Sequence, residues 1–213
     1  MEAYEILYCY DPLCGWCYAF SPVISQLEER FGKDIKFTAY SGGMVTGSRV
    51  APVGEGFGYI KGSLPDLEKR TGIKFGQGFR DLIEDGTYLY DSEPACRALT
   101  IFKSISNGSS ISFAHALQKS LFYEGESLNE PDKLADIAEQ HQLDRALFLR
   151  LFEDEKYKQK TQEEFAFVQR LGVRGFPTLL FRDSQKLYAL SRGYQAYDSL
   201  EEIMTQVIKE YVV

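Results

Sequence analysis

Apolar positions along this chain fall into runs of two kinds. Ile6-Leu7-Tyr8-Cys9-Tyr10 is a short unbroken run of the sort a strand buried on both faces requires, and it predicts a strand over residues 5–10. Phe20, Val23, Ile24, Leu27 and Phe31 then recur at helical spacing, so a helix is expected from the Cys14 turn to about Phe31, ended by Gly32-Lys33-Asp34. Residues 35–40 alternate as a second strand. Strand, helix and strand in that order predict a parallel, right-handed βαβ unit.

From residue 42 to 62 glycines are dense and periodicity is weak, which predicts loop. Gly54-Glu55-Gly56-Phe57-Gly58 lacks the third glycine at the right offset and the strand-to-helix setting of a dinucleotide turn. A helical block follows. Ser92-Glu93-Pro94 reads as an N-cap with proline in the first turn of a helix reaching about residue 105. Asn107-Gly108-Ser109-Ser110 ends it and caps a second, Ile111 to Tyr123, and Pro131 opens a third, to about His141. Asp144 opens a fourth, with Leu147, Leu151 and Phe152 as its expected buried face. A fifth covers about 155–171, stopped by Gly172. The tail returns to strands: Thr178-Leu179-Leu180-Phe181-Arg182 is apolar enough for a central one, and Asp183-Ser184-Gln185 turns into another over 186–190. Asp198 and Glu201 have the spacing of a capping box for the closing helix. The order βαβ, helical block, ββα implies one shared sheet, residues 1–45 with 165–213, interrupted by an inserted helical domain, 46–164. No internal repeat or low-complexity segment interrupts it.

With 213 residues, 44% of them hydrophobic, the chain can bury a core without disulfide staples. A net charge of −7 with interspersed signs argues against nucleic acid or an anionic membrane as partner. Met1-Glu2-Ala3-Tyr4 offers no basic or apolar leader and no apolar stretch reaches membrane-spanning length, so a cytoplasmic location is expected.

Cys14-Gly15-Trp16-Cys17 carries the chemistry. Two cysteines three apart at a helix start, directly after a strand and a tight turn, form a redox geometry. Unpaired N–H groups and the positive end of the dipole stabilise a thiolate on the first cysteine. The second lies one turn in, placed to resolve what the first attacks. Half of a zinc site or two buried thiols are the alternatives; no second CxxC and no histidine pattern supports a metal, and none is expected. Cys9 and Cys96 read as buried thiols. Gly175-Phe176-Pro177-Thr178 precedes the expected central strand, where a proline is awkward unless the turn is tight and its bond cis.

Taken together these motifs resemble the DsbA-like branch of the thioredoxin superfamily. Cys14 and Cys17 match its CxxC, Pro22 matches the proline that kinks the first helix, and Gly172-Val173-Arg174-Gly175-Phe176-Pro177-Thr178 matches its cis-proline loop. Ser41-Gly42-Gly43-Met44 is similar to cytosolic members of the FrnE type, held to be disulfide isomerases. The resemblance implies an α/β thioredoxin fold with a large all-helical insertion. It implies thiol–disulfide exchange at Cys14 and Cys17 on disulfide-containing proteins or peptides, sustained by a cellular thiol reductant. No cofactor is needed beyond the redox-active disulfide, with glutathione a possible co-substrate.

It further implies that the cis-proline loop lies against Cys14, so that Trp16, Phe176 and Pro177 bind substrate. The family commonly buries a carboxylate six residues before the first cysteine; here that residue is Tyr8. Proton transfer is therefore assigned to Asp11, a water or Tyr8, although Asp11 also reads as a turn residue before Pro12. With no cation between the cysteines, the expected potential lies nearer ~−270 mV than ~−120 mV. Two other readings stay open. One is a glutathione-dependent transferase or isomerase of the kappa or chromene-carboxylate type, which usually carries serine where Cys14 stands. The other is a non-catalytic peptide-binding module. The glycine-rich loop and inserted helices leave room for a homodimer.

Overall fold

The computed structural model describes residues 4–183 and 186–212. The leader reading at residues 1–3 and the turn at Ser184 and Gln185 lie outside the described residues. Strand β1, Glu5–Tyr10, is buried along its whole length because it is flanked on both sides and covered on both faces. It pairs in parallel with β2, Lys36–Ser41, and antiparallel with β5, Thr178–Arg182, which pairs antiparallel with β6, Leu187–Arg192. The sheet order is β2-β1-β5-β6. Helix α1, Gly15–Phe31, joins β1 to β2 and buries Phe20, Val23, Ile24, Leu27 and Phe31. Pro22 removes one helical N–H from its interior. The Ser21 hydroxyl donates instead to the Tyr18 carbonyl, at 2.7 Å, satisfying the acceptor that the proline leaves behind.

Side chains from the two faces of β1 go to different cores. Tyr8 and Tyr10 stack at 5.4 Å under α1, in the large core that continues without a break into the helical block. Leu7 and Cys9 face the other way, onto Leu180 and Val168. Val168 belongs to α9, Glu155–Arg170, which therefore ties the end of the helical block to the sheet.

The sheet edge at β2 is closed by side chains rather than by a fifth strand. The Ala39 N–H donates to Ser110 Oγ at 2.9 Å, Lys103 Nζ donates to the Ala39 carbonyl at 2.9 Å, and the Ser41 N–H donates to Glu164 Oε1 at 2.7 Å. Lys103 and Glu164 also pair with each other. An edge whose N–H and C=O groups are occupied cannot template pairing with another chain.

Between β2 and β5 the segment is helical apart from one short ladder. Helices α2, Val53–Gly56, and α3, Tyr59–Thr71, occupy much of what glycine content predicts as loop. Phe57, Ile60, Leu64 and Leu67 repeat at i, i+3, i+7 and i+10, and burying that stripe outweighs the local cost of glycine. Strand β3, Ala51–Pro52, pairs antiparallel with β4, Leu89–Tyr90, around α4, Gln77–Asp85. Then come α5, Glu93–Ile105; α6, Ser110–Lys119, continued by a wider π-type turn over Ser120–Glu124; α7, Pro131–Gln140; and α8, Arg145–Phe152.

Pro131 and Asp144 start their helices as expected, and of the segment 107–110 it is Ser109 whose side chain caps α6. Three local expectations are corrected. Phe148 and Phe152, one turn apart with rings at 5.9 Å, form the buried seam of α8, whereas Leu147 and Leu151 flank it half-buried. Ser92 does not cap α5 with its side chain, because its hydroxyl is drawn into the carboxylate of Asp11. The closing helix α10, Tyr197–Val207, begins one residue before Asp198, which leaves Asp198 in the first turn instead of at the cap; Glu201 accepts a hydrogen bond from the Tyr197 hydroxyl at 2.8 Å.

Candidate active site

Cys14 is the N-cap of α1, with extended backbone angles, and its sulfur accepts a hydrogen bond from the Cys17 N–H at 3.2 Å. That amide, which also donates to the Cys14 carbonyl at 3.0 Å, belongs to the first turn, so the sulfur sits at the positive end of the helix. The Cys14 thiol donates toward the Phe176 carbonyl at 3.7 Å, across 162 residues of sequence. Phe176-Pro177 is a cis peptide bond. The first cysteine, the cis-proline and the residue before it thus meet, as the sequence resemblance implies. All four cysteines are free thiols. Cys14 is 6% exposed, whereas Cys9, Cys17 and Cys96 are fully buried.

Burial pushes the Cys17 thiol well above its ordinary value, with the Cys14 sulfur beside it adding to the effect. Tyr8, where the family commonly has a carboxylate, is also fully buried. Its hydroxyl donates to the Cys17 carbonyl at 3.3 Å, and burial, then the neighbouring thiols, raises it far above ordinary tyrosine. Tyr8 consequently positions backbone and stays protonated.

Asp11 is the buried carboxylate of this site. Its Oδ1 accepts from the Leu13 N–H at 3.0 Å and from the Ser92 hydroxyl at 2.8 Å, and its Oδ2 from the Met44 N–H at 2.6 Å. Its own carbonyl accepts from the Cys14 N–H and from Gln118 Nε2, both at 3.1 Å. One residue thereby holds the cysteine turn, the segment after β2, α5 and α6. Burial pushes its carboxyl up to about 6, against the pull of those hydrogen bonds and of Arg49. The contact with Leu13 is an Asx turn, so the expected turn role of Asp11 is present too.

Phe176 rests against Gly42. A Cβ built on Gly42 would lie 1.8 Å from Phe176 Cζ, so only glycine permits this seat. Trp16 is 37% exposed and lies 6.2 Å from the Tyr194 ring. It also lines, with Cys14, Phe176, Ile60, Leu64 and Leu67, an apolar cleft of about 260 Å³. Tyr59, 71% exposed, stands on the same cleft. The sequence reading missed the wall supplied by α3, whose signal was the Phe57, Ile60, Leu64, Leu67 spacing. It also missed Ser92 and Gln118, polar residues in helices whose partners are remote in sequence. Among the described residues no group of three or more His, Cys, Asp and Glu side chains is placed to hold a metal ion.

The sequence model of the DSBA-like thioredoxin domain family matches residues 5–205. The chain belongs to that family. Its structure superposes on the cytosolic disulfide reductase DsbM from Pseudomonas aeruginosa with a TM-score of 0.81 at 27% identity, over 95% of this chain and 98% of that one. DsbM solved with GSH superposes with a TM-score of 0.79, again at 27% identity and over 95% and 98% of the two chains. A Nitrosomonas europaea structure reaches a TM-score of 0.85 over 99% of this chain and 100% of its own, at 23% identity, and shows the shared fold. The ClpXP adapter protein SpxH of Bacillus licheniformis is 25% identical over 213 residues, covering 96% of this chain and 67% of that protein. DSBA-like membership accounts for the thioredoxin fold, the helical insertion and the pairing of a CxxC with a cis-proline.

Proposed function

We propose that this DSBA-like protein is a thiol–disulfide oxidoreductase that reduces or rearranges disulfides of proteins and peptides through Cys14 and Cys17. What carries the reading is the Cys14 sulfur, held at a helix N-terminus 3.2 Å from the Cys17 N–H and 3.7 Å from the Phe176 carbonyl. Cys14, as thiolate, attacks one sulfur of the substrate disulfide; that S–S bond breaks, a mixed disulfide forms, and the first product thiol leaves with a proton. Cys17 then loses its proton and attacks the Cys14 sulfur, releasing the second thiol. The substrate gains two electrons and the two protons of the site, and Cys14–Cys17 becomes a disulfide. A cellular thiol, with glutathione as co-substrate, returns it to the dithiol. The structure of DsbM with GSH supports that last step by similarity.

Asp11 is the group suited to take the Cys17 proton. It is fully buried, its charge acts on the Cys17 thiol, and its carboxyl titrates near 6, whereas Tyr8 holds its own proton too firmly. The apolar cleft formed by Trp16, Phe176 and α3 suits an unfolded segment with a bulky apolar side chain near its cysteine. The division into a thioredoxin domain, 1–45 with 165–213, and an inserted domain, 46–164, belongs to the same proposal. So does a cytoplasmic location, supported by the cytosolic relative; no helix of the described residues is long and apolar enough to cross a membrane.

Insulin reduction driven by a dithiol tests this reading. Wild type is expected to catalyse it, Cys14→Ser to abolish it, and Cys17→Ala to accumulate mixed disulfides visible by mass spectrometry. Glutathione conjugation to an electrophile, with Cys17 dispensable, would replace it by the transferase reading. Peptide binding unchanged in a double serine variant, without turnover in wild type, would replace it by the binding-module reading.

A further inference from the structure

Three arginines surround the loop that carries Phe176. Arg174 lies in the loop, Arg49 in the turn after β2, and Arg192 at the end of β6. Two clefts meet on Val173, Arg174, Gly175 and Phe176. The first, about 640 Å³, also takes in Arg49, Gln162 and Gln169 from the β2 turn and α9. The second, about 530 Å³, takes in Arg192 beside β5. Neither is lined by a single Asp or Glu, although the chain holds 31 acidic residues against 24 basic ones.

Elsewhere Arg30, Arg70, Arg80, Arg97, Arg145 and Arg182 each meet a carboxylate. Among the described residues Arg49, Arg174 and Arg192 form no ion pair, nor do Arg150 and Arg170, which line neither cleft. Arg49 donates to the Gly43 carbonyl at 3.1 Å, which fixes it one residue from Gly42, the glycine that seats Phe176. Its field reaches Asp11, whose oxygens are already occupied by Leu13, Met44 and Ser92.

An acidic chain that keeps carboxylates out of both clefts and unpaired guanidiniums in them is built to receive an anion there. We propose that the substrate carries carboxylates flanking its disulfide, and that Arg174 and Arg49 bind them while the disulfide meets Cys14. This rests on the thiol–disulfide reading and adds the substrate's charge class to it. A guanidinium pairs with a carboxylate through two parallel N–H donors, which orients as well as attracts. Positive charge in a cleft also concentrates anions ahead of contact. The carboxylates come either from a small thiol disulfide or from an acidic protein segment.

The test uses reduced full-length protein, freed of reductant, and disulfide-linked dimers of blocked tripeptides Xaa-Cys-Gly with Xaa as Glu, Gln or Lys. Each rate is divided by that of dithiothreitol on the same disulfide, which removes intrinsic reactivity. The Glu dimer is expected to exceed the Gln dimer, and the Gln dimer the Lys dimer, by about tenfold each at low salt. The spread should collapse near 1 M salt. In the double variant Arg49→Gln with Arg174→Gln the Glu-to-Gln ratio should fall toward one. Equal Glu and Gln rates in wild type, or a ratio untouched by the double variant, would overturn the proposal.

Glutathione disulfide supplies the second arm. If it outpaces the Glu dimer the carboxylates belong to a small thiol, and if the Glu dimer leads they belong to a protein segment. Should wild type reduce none of these disulfides, the oxidoreductase reading fails, and the anion site is judged separately with unreactive S-methylglutathione by calorimetry. Weaker binding in the double variant than in wild type upholds the site; equal binding or none removes it.

Discussion

Gly42 and Phe176 are in contact across the mouth of the site, and the contact exists because Gly42 has no side chain. Its N–H donates to the Tyr10 carbonyl at 2.8 Å, which extends the β1–β2 pairing, while its bare α-carbon faces the Phe176 ring. The Phe176 carbonyl in turn meets Cys14. Gly42→Ala would press a methyl into that ring. We expect a stability loss of ~1–3 kcal/mol by urea unfolding, and a larger relative loss in insulin reduction, since the ring cannot move without shifting the carbonyl beside Cys14. Unchanged activity and stability would show that the loop does not need this seat.

Accessibility ranks the four thiols. Iodoacetamide near neutral pH should modify Cys14 in the native protein and leave Cys9, Cys17 and Cys96 unmodified until denaturant is added. Burial raises all three, Cys9 to about 12, so they are poor nucleophiles as well as hidden ones. Peptide mapping by mass spectrometry reads the outcome. A native Cys14 that resists alkylation would remove the nucleophile from the proposed reaction.

The carboxyl of Asp11 gives stability a defined pH dependence. Its folded value of about 6 lies above the ~3.9 of an unfolded aspartate, so the folded state holds the proton more tightly. The resulting stabilisation is complete below pH ~4 and is lost as pH rises through 6, a change on the order of 3 kcal/mol. Burial raises the carboxyls of Glu28 and Asp91 as well. The informative quantity is therefore the difference between wild type and Asp11→Asn. That difference should move in favour of the asparagine variant between pH 4 and 7. The variant itself should resolve mixed disulfides slowly and lose the inflection near 6 in that rate. A parallel pH course for both proteins would place the titration elsewhere.

Lys103 and Glu164, side chains 17% and 12% exposed, close the β2 edge. Lys103→Met leaves the Glu164 carboxylate and the Ala39 carbonyl without their donor, and should cost ~3–5 kcal/mol. Adding Glu164→Gln keeps an acceptor for the Ser41 N–H while removing the stranded charge, so most of the loss should return. Urea unfolding of the single and double variants measures this; an equal loss in both would mean the charge is not what matters.

The linear pattern alone settled the strands at residues 5–10 and 178–182 and the helix that begins at Cys14. Each rests on neighbours in sequence, an unbroken apolar run or a 3.6-residue period, whereas the pairing of the CxxC with a cis-proline loop, 162 residues apart, was legible only through the family resemblance of the two motifs. Helix α2 and the first turn of α3 escaped because dense glycine masks periodicity, and a helix held by packing need not have strong local propensity. Ser92 stands at the expected N-cap position of α5 but its side chain does not cap, and Asp198 lies inside its helix, for a related reason. A hydroxyl or carboxylate takes whichever partner the fold offers, and for Ser92 that partner is 81 residues away. Tertiary structure alone decided that Asp11, a turn residue to the eye, is a sealed carboxylate joining four segments, and that Gly42 must be bare. Sequence encodes local geometry, but desolvation and contact between distant segments exist only once the chain has closed on itself.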